Sequence, residues 1–394
     1  MGTIWTTLAA LRMFLDVSAH AHQQLCVLLA AAAERSGWRL ACPRPSGPPV
    51  GQDVLTAALA LYGACAQLSS YPHLMSALRT LLLVAVAALV VGAPASAAQA
   101  RVGDPFSPSA KLYVDPSQPS ARQALEWRTG RPADARLMGS IATRPVASWL
   151  GDWNTQVGAD AANLAGRARR AGAVAVVVAY NIPQRDCGSY SAGGAHSAAA
   201  YGNWIAALGR GLGHGPAAVI LEPDSVAGWD CLDAPSQARR AQMLRSAVKT
   251  LSGRGIAVYL DAGNSNWQSA SVMAARLRKA GVASARGVSV NVSNFRTTAE
   301  SLAYVRALRR KLPGLRAVID TSRNGRGPAS GGQWCNPAGR GLGLAPTVSP
   351  GIEPLDALLW IKTPGESDGS CNGGPAAGQW WPEQALGLAK LAAR

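Results

Sequence analysis

From about residue 110 onward the chain alternates between two patterns. Short, continuous apolar runs occur at 173–180 (AVAVVVAY), 218–221 (AVIL), 257–260 (AVYL), 287–292 (GVSVNV), 315–319 (LRAVI) and 357–362 (ALLWIK). Between them lie longer Ala-, Leu- and Arg-rich stretches of helical period at 159–170, 197–212, 235–251, 269–280 and 297–311. Runs that are apolar at every position suit strands buried on both faces, and such strands are parallel ones covered by helices. Strand and helix in regular alternation predict an α/β fold, a TIM-like (β/α) barrel, with a doubly wound open sheet as the competitor.

Every apolar run stops at polar residues. The first leads into residues 181–187 (NIPQRDC) and the second into Glu222-Pro223-Asp224. The third ends Asp261-Ala262-Gly263, the fourth Asn291-Val292-Ser293-Asn294 and the fifth Asp320-Thr321-Ser322-Arg323. The sixth ends at 362–368 (KTPGESD). In a parallel barrel all of these C-terminal ends share one rim, where active sites are built. A single carboxylate after a strand is often a helix cap. Carboxylates at five of six strand ends crowd negative charge together, which packing does not need and self-repulsion opposes.

That rim narrows the chemistry. After residue 97 only His196 and His214 remain, at no ligand spacing, which argues against a zinc site; a Ca²⁺ or Mg²⁺ site stays open, and no metal or cofactor is assigned. No EF-type calcium loop exists. Paired carboxylates also serve glycoside hydrolysis, which needs one of them protonated at working pH. Like-charged neighbours and partial burial both raise an Asp pKa, and Asp186, Asp224 and Asp261 supply such neighbours. Composition agrees, with 12 Trp against 3 Phe. Trp149, Trp153, Trp267 and Trp334 fall near strand ends, where an indole can stack on the C–H face of a sugar. Trp204 and Trp229 read as core or loop packing. Two decoys are set aside. Gly365-Glu366-Ser367-Asp368-Gly369 matches an esterase elbow, but neither a helix nor a His follows it. Gly209, Gly211 and Gly213 end a helix rather than follow a strand.

The first hundred residues differ from the rest. Residues 75–97 carry Arg79, an apolar stretch at 81–91 and Ala95-Ser96-Ala97, the pattern of a secretory signal peptide with its cleavage site. Its internal position suggests that Met75 is the true start and that residues 1–74 are an extension outside the native protein. Residues 98–394 are then one catalytic domain, secreted, without a stable membrane anchor after cleavage. Cys26, Cys42 and Cys65 precede it, which leaves Cys187, Cys231, Cys335 and Cys371 for two disulfides in an oxidising compartment. Of three connectivities, Cys187–Cys231 with Cys335–Cys371 is favoured, each closing a loop of similar length. The net charge of +16 raises the question of an anionic partner. The arginines, however, scatter along helices (Arg167, Arg169, Arg170, Arg239, Arg240, Arg306, Arg309, Arg310) and read as solvated faces, so no nucleic acid is expected.

Seven blocks in order resemble glycoside hydrolase family 6, the cellulase family. They are VVVAYNIPQRDCGSYSAGG (176–194), VILEPDSVAG (219–228), YLDAGNSNW (259–267), VNVSNF (290–295), VIDTSRNGRGP (318–328), WCNPAGRGLG (334–343) and LWIKTPGESDG (359–369). The resemblance runs from about residue 110 to the C-terminus. It implies a distorted seven-stranded (β/α) barrel and inverting hydrolysis of β-1,4-glucan. It further implies that Asp224 is the general acid and that Asp186 raises its pKa and helps activate water. Asp261 becomes a further electrostatic residue and Asp368 the base-side carboxylate. Tyr180 and Arg185 match positions beside the reacting sugar. Trp149, Trp267, Trp334, Lys362 and Glu366 match sugar-binding positions, and Asn291 and Asn294 join that set. Ser189 or Ser191 sits in a Gly-rich loop that in the family closes over the site. The favoured disulfides match the family's pairs. One departure is Asn264, where the family usually has His. Short loops around Asp368 favour an open cleft and internal cleavage, and a monomer is expected. The alternatives are a cellobiohydrolase, a non-catalytic cell-wall glucan-binding protein on the same scaffold, or a basic protein binding an anionic polymer.

Overall fold

The structure is a computed structural model and describes residues 104–393. The readings made for residues 1–74, the signal peptide at 75–97 and Cys26, Cys42 and Cys65 lie outside the described residues.

The alternation of the sequence becomes a curled sheet of eight strands in the order β1-β2-β3-β4-β5-β6-β8-β7. The strands are β1 (Ser148–Gly151), β2 (Ala175–Tyr180), β3 (Ala217–Leu221), β4 (Ala257–Asp261), β5 (Gly287–Val290), β6 (Arg316–Asp320), β7 (Thr347–Val348) and β8 (Leu355–Leu359). All neighbours are parallel except the short β7, which runs antiparallel to β8. The helices are α1 (Pro119–Glu126), α2 (Pro132–Ala142), α3 (Val157–Arg170), α4 (Ala198–Leu212), α5 (Ala234–Ser252), α6 (Ala270–Ala280), α7 (Thr298–Lys311) and α8 (Pro382–Lys390).

Side-chain alternation along each strand makes this a barrel wall. Val178 and Tyr180, Ala218 and Ile220, and Ala257 and Tyr259 point into an inner cluster with Phe106, Val318 and Leu359. Their neighbours Val177, Ala179, Val219, Leu221, Val258 and Leu260 face an outer cluster formed with the helices. Both faces are therefore dry, which is why the strands read as unbroken apolar runs. Truncating an inner residue such as Ile220 to Ala costs about 2–5 kcal/mol. The barrel is distorted at one seam. Beside β1 and β8, Ala147 N donates to Trp360 O at 3.0 Å, and the Trp149 indole donates to Ile361 O at 2.8 Å.

Local chemistry fixes the helix starts. Ser197, Asp233 and Ser269 cap α4, α5 and α6 by accepting backbone N–H bonds. Thr297 and Glu300 close a capping box on α7. The opposite mouth of the barrel is sealed by Asp356, which accepts from the Tyr259 hydroxyl at 2.7 Å and pairs with Arg286 and Arg316.

The sequence pattern misplaces some boundaries and misses some elements. The fourth run ends at Val290 rather than 292, because Asn291 and Ser293 turn the chain with φ of 67° and 56°. The sixth strand is Leu355–Leu359 rather than 357–362. β1 (SWLG) is four residues and not uniformly apolar, so it leaves no run to detect. α1, α2 and α8 form a separate cluster around Met138, Ile141, Trp360 and Leu386.

Candidate active site

The strand ends do gather on one rim. At the end of β3, Glu222 and Asp224 both adopt left-handed backbone, with φ of 52° and 68° about Pro223. Such conformations cost of order 1–3 kcal/mol each for a non-glycine residue and persist only where the surroundings impose them. The kink sends the two carboxylates to different places. Glu222 is fully buried and accepts the N–H groups of Asn181 and Ile182 at 3.0 Å. Asp224 stays at the half-buried surface of the cleft.

Asp224 is anchored through its main chain, its N–H donating to Asp261 Oδ2 at 3.0 Å. Its carboxyl is held well above the usual aspartate range, first by desolvation and then by the negative charges of Asp261, Asp186 and Asp368. Asp261, wholly buried at the end of β4, also accepts from Gly263 N and the Ser289 hydroxyl. Burial pushes it to about 6 against the pull of these donors. Asp186 is raised by burial, opposed by Ser191 N, which donates to its Oδ2 at 2.8 Å, and by the Arg185 charge.

Arg185 organises that loop. It is buried, pairs with Asp152 at 2.9 Å, and donates to the carbonyls of Tyr180 at 2.7 Å and Ser191 at 2.8 Å. Its guanidinium lies 4.6 Å over the Tyr180 ring, which meets Trp149 edge-on at 5.2 Å. The loop needs its glycine at Gly193, where a Cβ would lie 2.5 Å from Arg185 Nη2.

Asp368 has a different setting. Its Oδ2 accepts from Arg323 Nη1 at 2.9 Å and from Asn336 N at 3.0 Å. Lys362 Nζ stands 4.0 Å from both Asp368 Oδ1 and Glu366 Oε2. Glu366 is raised by burial, with Lys362 pulling it back.

The indoles of Trp153, Trp267 and Trp334 are 54%, 44% and 48% exposed, unlike the buried Trp229. Trp267 lies over Gly263 and Gly228, where an added Cβ would sit at 3.4 and 3.6 Å from its ring. Asn264 makes the turn beneath Trp267: its carbonyl accepts Trp267 N at 3.2 Å, and its side chain accepts Asn266 N at 2.9 Å. Tyr190, at the tip of the loop after β2, reaches the opposite loops. Its ring is 6.1 Å from that of Trp334, and a Cβ on Gly369 would meet it at 2.4 Å.

The structure gives four residues a local role that the sequence did not announce. Asn291 is completely buried, its amide donating to Asp320 O at 2.8 Å and accepting Arg296 N at 3.0 Å, so it shapes the rim from beneath. Asn294, half-buried, caps the N–H of Phe295 at 2.9 Å. Asp320 is not a cleft charge: it is buried and brackets the N–H groups of Ser293, Ser322, Ile361 and Lys362. Arg240 does not lie on a solvated face. It is 2% exposed and donates to Pro183 O and Gln184 O, beneath the strap that leads to Asp186. Residues whose parts were not legible are Arg323, Asn336, Glu222 and Asp152. The first three stand in blocks already quoted, and strand-end position was a further signal for Arg323 and Glu222.

The disulfides Cys187–Cys231 and Cys335–Cys371 form as expected, tying the loop after β2 to that after β3 and the loop after β6 to that after β8. Among the described residues no His, Cys, Asp or Glu group is arranged to hold a metal ion. Nor is any helix there long and apolar enough to cross a membrane.

Comparison with known proteins agrees with this geometry. The chain is 45% identical to endoglucanase A of Cellulomonas fimi over 268 residues, covering 68% of this chain and 58% of that protein's length. It is 43% identical to endoglucanase 1 of Streptomyces halstedii over 321 residues, covering 78% of this chain and 97% of the relative. The solved structure of the endoglucanase Cel6 from Mycobacterium tuberculosis, in complex with methyl-cellobiosyl-4-deoxy-4-thio-β-D-cellobioside, superposes with a TM-score of 0.69 at 44% identity. It covers 73% of this chain and 99% of that one. The family model for glycosyl hydrolases family 6 matches residues 107–392, and the chain belongs to that family.

Proposed function

We propose that this glycoside hydrolase is a secreted, monomeric endo-β-1,4-glucanase that inverts the anomeric centre. Asp224 enters protonated and gives its proton to the glycosidic oxygen as the bond breaks. A water attacks the anomeric carbon from the opposite face and loses its proton toward Asp368, directly or through Asp186 and Ser191. Inverting enzymes hold their two carboxyl groups about 6.5–9.5 Å apart to admit that water. Trp149, Trp267 and Trp334 would bind glucosyl rings, with Tyr180, Arg185, Lys362 and Glu366 at the sugars nearest the reaction.

One observation carries this reading. The carboxyl of Asp224 is raised by burial and three anionic neighbours, as a general acid requires. The ion pair of Asp368 with Arg323 suits the opposite part. The thio-cellooligosaccharide complex of the Mycobacterium tuberculosis relative supports a β-1,4-glucan as substrate. Endo action is supported by the relatives' endoglucanase names and by the short connection from Asp368 to Cys371. Two disulfides support an oxidising, extracellular setting.

The test is hydrolysis of a soluble β-1,4-glucan followed by NMR. An α-configured first product, with rapid viscosity loss per reducing end formed, is expected. A β-configured first product would remove the inverting claim, and slow viscosity loss would favour a cellobiohydrolase. Binding without reducing-sugar release would favour the non-catalytic glucan-binding alternative. N-terminal sequencing of exported protein beginning before Met75 would refute the signal-peptide assignment.

A further inference from the structure

Asp368 lies in a stretch with no regular secondary structure, between Gly365 and Gly369. Arg323 and Lys362 supply charge to its carboxylate. The neutral hydrogen bonds that hold the residue come from Asn336, on the neighbouring loop after β6, directly after the disulfide-bonded Cys335.

Asn336 grips Asp368 at two points. Its backbone N–H donates to Asp368 Oδ2 at 3.0 Å, and its side-chain Oδ1 accepts Asp368 N at 2.9 Å. The other half of the amide holds the residues on either side. Nδ2 donates to Ser367 Oγ at 3.0 Å, Gly369 O at 2.8 Å and Cys371 O at 3.2 Å. Gln384 on α8 donates a further bond to Oδ1 at 3.0 Å. Asn336 is 5% exposed and left-handed, with φ of 45°, a conformation asparagine tolerates better than most residues. Across from it stands Gly374, where a Cβ would lie 2.3 Å from Nδ2.

These contacts require both ends of a carboxamide. One oxygen faces N–H donors, and one NH₂ faces carbonyls. A carboxylate of the same shape would place an oxygen against the carbonyls of Gly369 and Cys371. Alanine would empty the site and strain the backbone. Glycine would keep the backbone and its bond to Asp368 but lose every side-chain contact.

We infer that Asn336 is a positioning residue for the reaction, fixing the Asp368 carboxylate through paired main-chain and side-chain hydrogen bonds. The inference rests on Asp368 being the base-side carboxylate. Misplacement of a reacting group by about 1 Å can cost on the order of 10²-fold in rate. In the full chain, Asn336→Gly and Asn336→Asp are expected to lower kcat on a soluble β-1,4-glucan oligosaccharide by about tenfold to a hundredfold, with little change in KM. Residues acting as one unit are non-additive. Added to Asp368→Asn, Asn336→Gly should therefore change the residual rate by less than about twofold.

Thermal melting and disulfide titration on each variant separate folding loss from rate loss. A kcat for folded Asn336→Gly and Asn336→Asp equal to the parent's, with Asp368→Asn reduced to a low residual rate, would overturn the inference alone. Equal proportional losses from Asn336→Gly in both backgrounds would overturn it too, because a merely structural role acts in either. Full activity of Asp368→Asn would instead overturn the base-side reading beneath it.

Discussion

Asp224 and Asp368 are the same residue type on the same rim, in opposite settings. Around Asp224 the neighbours are carboxylates, Asp261, Asp186 and Asp368, and the described hydrogen bonds reach its backbone rather than its carboxyl. Around Asp368 stand a buried guanidinium at 2.9 Å, an ammonium at 4.0 Å and a backbone N–H at 3.0 Å. Chemical identity therefore does not assign a role. The first environment disfavours the charged form, as a proton donor needs, while the second surrounds the carboxylate with cations and a hydrogen-bond donor. The chain builds each setting from different elements: the left-handed kink after β3 for Asp224, and the disulfide-tied loops after β6 and β8 for Asp368.

The hardest blow to this comparison is Asp224→Asn, which removes the donor while keeping its shape. We expect kcat to fall at least about 10²–10⁴-fold, read by reducing-sugar release. Next is Arg323→Met, which strips the countercharge from Asp368. Breaking a buried pair on one side costs about 3–5 kcal/mol, so urea unfolding should shift by that amount. The activity of the folded fraction should fall with it, and unchanged activity would separate Arg323 from the reaction.

A finer test is Asp186→Asn. Removing one negative neighbour makes ionisation of Asp224 easier and lowers its pKa. The alkaline limb of the kcat profile, where the general acid loses its proton, should then move to lower pH. A limb that stays in place would detach Asp186 from the acid.

The smallest effect concerns Glu222, which shares the kink but faces inward. Its native pKa is about 7 against 4.5 for the ordinary group, because burial outweighs the two N–H donors. The native state therefore holds more protons than the unfolded chain between those values. Its contribution to stability is full at pH below 4.5 and declines as pH rises to about 7. Melting temperature against pH should show that decline, and Glu222→Gln should flatten it.

Much of this was legible in the chain. Dry strands leave unbroken apolar runs, so β2 to β6 and β8 were visible, and polar residues after each run marked the rim. Strand-end position and the family blocks singled out Asp186, Asp224, Asp261 and Asp368, which the fold brings to one rim. What escaped depends on contacts between distant loops. Asp320 and Asp224 look alike as residues after a strand, yet one brackets four backbone N–H groups and the other faces the cleft. Arg240 sits in a helix whose spacing resembles that of solvated arginines. Only the fold shows its guanidinium under the carbonyls of Pro183 and Gln184. β1 was too short and too mixed to register, although Trp149 within it was already placed near a strand end.

The account turns on a proton retained by one aspartate. Carbon-13 carboxyl NMR titration of Asp-labelled protein, with the Asp224 resonance assigned by its loss in Asp224→Asn, measures this directly. The account predicts that this resonance titrates well above the ordinary aspartate range and moves down in Asp186→Asn. A titration near the ordinary aspartate value of 3.8, unmoved by that substitution, would contradict it.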